Sequence, residues 1–122
     1  MADTPDQVVR SFISLLVARD IETAATMVST DFEYDNVPMG KAFGPQGLRD
    51  TLTGFFGMCT GIDWEIIRQT STGSVQHGTV LNEREDRFEI HGRWSHCLLL
   101  ASLRFAMDSS RCGVITLIRQ RC

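Results

Sequence analysis

Val80-Leu81-Asn82-Glu83-Arg84-Glu85-Asp86-Arg87-Phe88-Glu89-Ile90 reads as a β-strand with two unlike faces. Side chains alternate across a strand, so Glu83, Glu85, Arg87 and Glu89 share one charged, solvated face. Val80, Asn82, Arg84, Asp86, Phe88 and Ile90 share the other. Arg84 and Asp86 therefore sit on a face that is otherwise largely apolar. A lone buried charge is costly, so the two are expected to pair with each other or with further polar groups. Charges held in this way mark a candidate site as well as a register device. The strand is expected to begin near Val75, after a turn at Ser71-Thr72-Gly73-Ser74. Residues 62–69, around Trp64, Ile66 and Ile67, form the strand before that turn.

A second alternating stretch lies upstream, in Asp31-Phe32-Glu33-Tyr34-Asp35-Asn36-Val37. Here Phe32, Tyr34 and Asn36 share the inward face, Glu33 and Asp35 share the wet one, and Pro38 ends the strand. Either polar pair alone has a plain reading, as an ion pair or as a core tyrosine beside a polar rim residue. Together they bring a phenol, an amide, a guanidinium and a carboxylate toward one pocket.

Helices fill the rest of the first half. Thr4-Pro5-Asp6-Gln7 is a helix start with a capping box and proline at the first helical position. Val8, Val9, Phe12, Leu15 and Leu16 follow at helical spacing. Asp20 caps a short second helix with Ile21, Ala24, Ala25 and Val28 on one side. A third helix begins near Gly44-Pro45, with Leu48, Leu52, Phe55 and Phe56 as its apolar side. Helices followed by long antiparallel strands predict an α+β domain, a curved antiparallel sheet wrapped around helices in a cone. The open mouth of such a cone is where pockets form.

Composition narrows the possible functions. The 122 residues suit a single domain, 1–122, with 43% apolar and 22% charged residues. No apolar run approaches the roughly 20 residues of a membrane span, and no signal peptide is evident, so a cytoplasmic protein is expected. The acidic body gives no nucleic-acid footprint. Cys59, Cys97, Cys112 and Cys122 form no CxxC pair, and a reducing compartment argues against a disulfide framework. None of the four has an evident partner base for nucleophilic chemistry. His77, His91 and His96 match no ligand spacing, so neither a metal nor another cofactor is expected.

The combination of the helix pair, Phe32-Glu33-Tyr34-Asp35-Asn36-Val37-Pro38, Gly44 with its helix, and Asn82-Glu83-Arg84-Glu85-Asp86 resembles the limonene-1,2-epoxide hydrolase family. That family has the cone fold of nuclear transport factor 2 and ketosteroid isomerase. The likeness covers roughly residues 3–94, and its specific parts are the Tyr-x-Asn-x-Pro and Glu-Arg-x-Asp strands. It implies one-step opening of a lipophilic epoxide by water to a vicinal diol, without a metal or a covalent intermediate. Under it, Tyr34 and Asn36 hold the attacking water, Asp86 protonates the epoxide oxygen, and Arg84 bridges two catalytic carboxylates. Met39, Phe43, Leu52, Phe55, Phe56, Met58, Trp64 and Ile66 are candidate walls for an apolar substrate. A homodimer formed through the open sheet face is expected.

The tail departs from this pattern. The family's general base is an aspartate on the last strand, in a motif like Trp-Arg-Asp-Tyr-Phe-Asp. After Trp94 the only acid is Asp108, in the turn-like Met107-Asp108-Ser109-Ser110, and Gly113–Ile118 carries none. Residues 1–103 hold 8 basic and 14 acidic side chains, whereas residues 104–122 hold Arg104, Arg111, Arg119 and Arg121 against Asp108. Residues 95–122 admit two readings. One is an out-of-frame tail: with codons chosen for Ser95–Asp108, a shifted frame yields S-L-P-V-A-G-V-F-E-V-R-D-G. The other is a divergent last strand, for which Cys97–Leu100 and Val114–Ile118 have adequate β character. Without the second acid, hydrolysis is expected to be impaired. The alternative is a non-catalytic small-molecule-binding or dimerisation cone domain. Proton transfer of the ketosteroid-isomerase kind, which does not require the Arg-x-Asp pairing, ranks below epoxide hydrolysis.

Overall fold

In the computed structural model, which describes residues 3–108 and 111–122, three helices pack against one six-stranded sheet. Helix α1 spans Pro5–Val17. The Thr4 hydroxyl accepts from the Gln7 N–H at 3.2 Å while Gln7 accepts from the Thr4 N–H at 3.0 Å, the expected capping box. Helix α2, Ile21–Ala25, starts where the Asp20 carboxylate accepts from the Thr23 N–H. Then come β1 (Val28–Val37), β2 (Gly40–Phe43), α3 (Gly44–Met58), β3 (Gly61–Gly73), β4 (His77–Ile90), β5 (Arg93–Asp108) and β6 (Arg111–Arg121).

The strand order is β2-β1-β6-β5-β4-β3. All neighbours are antiparallel except β1 and β6, which run parallel. The sheet curves without closing, as the cone predicts. Val9, Phe12, Ile13 and Leu16 of α1 and Leu48, Leu52 and Phe56 of α3 are buried in one core with Phe32, Val80, Leu103 and Ile115 of the sheet. The amphipathic stripes of these helices thus close the concave side.

Several local expectations shift. Val28, placed on the α2 stripe, instead opens β1, because it pairs with Ile115 and the Met27 carbonyl accepts from the Ile115 N–H. Strand β2 has no counterpart in the sequence reading; four residues carry too little pattern. Ser71, Thr72 and Gly73 extend β3 rather than forming a turn, and the reversal comes at Ser74, whose backbone exchanges two hydrogen bonds with His77. Asp35 is buried rather than on a wet face with Glu33, because Arg119 of β6 folds over it with a 3.0 Å bond. Of the turn expected at Met107–Ser110, Asp108 closes β5, and Ser109 and Ser110 lie outside the described residues.

The cysteines also correct the reading. Cys97 and Cys122 form a disulfide, their Cα atoms 5.6 Å apart, because β5 and the end of β6 bring two distant cysteines together. Cys59 is free and buried, and the side chain of Cys112 lies outside the described residues. Among the described residues, no helix is long and apolar enough to cross a membrane.

Candidate active site

Strand registry assembles the site. On β4, Arg84 and Asp86 point to the concave side, as their alternation predicts, and both are buried. Asp86 lies opposite Trp64 of β3 and Cys97 of β5. On β1, Tyr34 is buried and Asn36 is half-buried on the same face. The parallel β1–β6 ladder sets Asn36 opposite Gln120, and the β5–β6 ladder sets Gln120 opposite Ala101. All four expected site residues therefore meet, and Gln120, which sequence reasoning missed, joins them. Its signal was its spacing: it stands two residues beyond Ile118, on the same inward face of a strand that runs past the expected end at Ile118.

These five side chains form one hydrogen-bonded chain. Arg84 donates from Nε and Nη2 to the two oxygens of Asp86, each at 3.0 Å. Its Nη2 also donates to Gln120 Oε1 at 3.2 Å. Gln120 Nε2 then donates to the Tyr34 hydroxyl oxygen and to Asn36 Oδ1, both at 3.1 Å. The guanidinium has no acceptor, so it fixes the glutamine amide with its oxygen toward Arg84 and its nitrogen toward β1. The guanidinium also lies 5.5 Å from the centroid of the Trp64 ring, within cation–π range.

A cavity of about 250 Å³ opens on this chain, lined by Tyr34, Asn36, Thr51, Leu52, Phe55, Trp64, Asp86, Phe88, Cys97, Leu99, Gln120 and Cys122. Phe55 meets Phe88 edge-on at 5.4 Å and Trp64 at 6.3 Å, which makes one side an aromatic wall. A wider groove of about 580 Å³ between α1 and β3 holds none of the five chain residues. Of the expected wall residues, Leu52, Phe55 and Trp64 line the cavity. Phe56 is core, Ile66 faces the wider groove, and Met39, Phe43 and Met58 are exposed at 83%, 62% and 59%. They fall at helix and hairpin ends, where no layer covers them.

Electrostatics separate the titratable groups. Burial pushes the Tyr34 phenol above the usual tyrosine range, with the Arg84 charge opposing part of that rise. The hydroxyl therefore stays protonated at neutral pH. Among the described residues, Asp86 is the one carboxylate side chain lining the cavity. Both of its oxygens receive Arg84, and each keeps a lone pair for a further donor. Burial also pushes the Cys59 thiol up, against the pull of Arg19, which suits an inert core thiol. Among the described residues, no group of three or more His, Cys, Asp or Glu is placed to hold a metal ion.

Comparison with known proteins agrees with this architecture. The limonene-1,2-epoxide hydrolase catalytic domain family matches residues 3–109, which includes β5. Among solved structures, an LEH-like epoxide hydrolase of M. tuberculosis superposes with a TM-score of 0.73 at 24% identity, covering 93% of this chain and 77% of that one. A hexachlorocyclohexane dehydrochlorinase of Novosphingobium barchaimii gives a TM-score of 0.79 at 10% identity, over 93% and 82%. A protein of ketosteroid isomerase-like fold from Catenulispora acidiphila gives 0.72 at 16% identity, over 97% and 85%. At these identities the structural likenesses establish the cone fold alone. No curated protein sequence matches the chain. On the family match across most of its length, the chain belongs to the limonene-1,2-epoxide hydrolase catalytic domain family.

Proposed function

We propose that the cavity takes a small lipophilic epoxide and water and hydrolyses the epoxide slowly to a vicinal diol. The observation that carries this reading is the Asp86–Arg84–Gln120 chain at the polar end of an otherwise apolar cavity. Hydration needs one group to take a proton from water and another to give one to the epoxide oxygen. The resemblance assigns the second task to Asp86, with Tyr34 and Asn36 holding the water. It requires a carboxylate on the far side of Arg84, where this chain has the Gln120 amide. An amide takes no proton, and each positioned proton transfer is worth about 10²–10⁴ in rate. The expected turnover is correspondingly low.

Limonene-1,2-epoxide, the substrate in the family's name, is a suitable probe, with diol measured by gas chromatography. Diol should form faster with the wild-type chain than with Asp86→Asn, and Gln120→Asp should raise the rate by about 10²-fold or more. Equal rates for wild type and Asp86→Asn would sink the enzymatic reading. The second reading, a non-catalytic binding domain, is favoured by the amide at Gln120. Saturable ligand binding with no turnover in any variant would establish it.

A further inference from the structure

We infer that acid and base have exchanged ends in this site: Tyr34 donates the proton to the epoxide oxygen, and Asp86 takes the proton from the attacking water. The inference rests on epoxide hydrolysis as the reaction and reverses the roles that the family resemblance implies.

Hydrogen-bond direction and proton affinity separate the two ends of the site. Arg84 can only donate, so Gln120 must turn its oxygen toward Arg84 and its N–H groups toward β1. Each of those two N–H groups occupies one acceptor site, on the Tyr34 hydroxyl and on Asn36 Oδ1. Beyond them the β1 end offers the Tyr34 O–H and the Asn36 amide N–H groups as donors, and its amide oxygens take no proton. Such an end suits an oxygen that only accepts, as an epoxide oxygen does. A nucleophilic water needs an acceptor for its proton. Asp86 supplies one, because each of its oxygens holds a single Arg84 bond and faces the cavity. Among the described residues, the charged and titratable side chains facing Asp86 are Arg84 on its own strand and Tyr34 on β1. The side chains of Trp64 from β3, Thr51 and Phe55 from α3, Leu99 from β5, Gln120 from β6 and the disulfide-bonded Cys97 and Cys122 add none.

The step balances. The water oxygen bonds to one epoxide carbon as the bond from that carbon to the ring oxygen breaks. The water proton passes to the Asp86 carboxylate, and the Tyr34 proton passes to the departing oxygen. After the diol leaves, the proton on Asp86 returns to Tyr34 through solvent, so epoxide and water have become diol with nothing else consumed.

Two measurements test the assignment. The first is binding. 4-tert-Butylcyclohexanone, a ketone that accepts but cannot donate, should bind the wild-type chain about tenfold or more tightly than tert-butylcyclohexane. Tyr34→Phe should lose most of that preference while still binding the hydrocarbon, which also shows that it is folded. Equal binding of ketone and hydrocarbon to the wild type would overturn the donor assignment, whatever the turnover. The second is the pH dependence of diol formation after subtraction of the Asp86→Asn background. With Asp86 as base, the Asp86-dependent rate falls on acidification. A rate that rises on acidification would return Asp86 to the acid role and refute the exchange while leaving epoxide hydrolysis standing. No Asp86-dependent diol at any pH would remove the hydrolysis reading itself and the exchange with it.

Discussion

Replacing Arg84 with methionine tests the central pair directly. Arg84 is the largest fully buried side chain, 2% exposed, and it makes three hydrogen bonds, two to Asp86 and one to Gln120. Methionine keeps an apolar stem but loses the guanidinium over Trp64 and leaves the Asp86 carboxylate buried without its charged partner. Removing one member of a buried pair costs about 3–5 kcal/mol, because the other charge remains desolvated. The stranded oxygen of Gln120 adds about 1 kcal/mol. Against a total stability of about 5–15 kcal/mol, Arg84→Met should be strongly destabilised. With a urea dependence of about 2 kcal/mol per molar, the unfolding midpoint should fall by roughly 2 M, measured by circular dichroism. The double variant Arg84→Met/Asp86→Leu removes both charges and should recover most of the loss, since apolar replacement of a buried pair is often close to neutral. A single variant within about 1 kcal/mol of wild type would refute the reasoning, as would a double variant less stable than the single one.

Two further outcomes follow from the tail. The Cys97–Cys122 disulfide joins residues 25 apart in sequence, so its reduction should cost about 3 kcal/mol, read as a lower thermal midpoint in dithiothreitol; an unchanged midpoint would exclude the bond from the stable fold. Leu81, Leu98 and Leu100 stand 52%, 59% and 67% exposed on the outer sheet face, with Glu83 and Glu85 of β4 on one side of the β5 leucines and Arg119 and Arg121 of β6 on the other. That arrangement suits an isologous homodimer, so the wild type should elute as a dimer and Leu98→Glu/Leu100→Glu as a monomer; identical elution of the two would remove this face from any interface.

Period-two alternation made four of the five residues of the hydrogen-bonded chain legible in the sequence. It placed Arg84 and Asp86 inward on β4 and Tyr34 and Asn36 inward on β1, because a strand with one wet face fixes the direction of every second side chain. The same rule misplaced Asp35, since a face that is wet in one strand can be covered by a long side chain from its neighbour, here Arg119. Gln120 was missed for a related reason. Irregular pairing at Arg104 and Phe105 shifts the phase of β6 between Ile115 and Leu117, so Ile115 and Ile118 are both buried and alternation counted from Ile115 turns Gln120 outward. The parallel register that brings Gln120 beside Asn36 depends on a contact between residues 84 positions apart, which no local pattern encodes.

Gln120 also connects the chemistry to the basic tail. An acceptor is all that Arg84 requires beyond Asp86, so an amide oxygen or a carboxylate oxygen satisfies it equally well. The consequences on β1 are opposite. A carboxylate at this position accepts from the Tyr34 hydroxyl and the Asn36 amide, leaving their oxygens to orient a water. The amide donates one N–H to each of those oxygens and gives the Tyr34 O–H no acceptor. Exchanging one nitrogen for one oxygen at residue 120 thus decides whether the Tyr34 O–H is engaged or free for a ligand, while the pairing at Arg84 persists. This gives the out-of-frame reading of residues 95–122 a sharp consequence. If the gene's codons after Trp94 yield S-L-P-V-A-G-V-F-E-V-R-D-G when shifted by one frame, the in-frame protein should carry a carboxylate facing Arg84 and lose its preference for the ketone. If they do not, that reading of the tail is wrong, and the donor-lined end belongs to the protein as encoded.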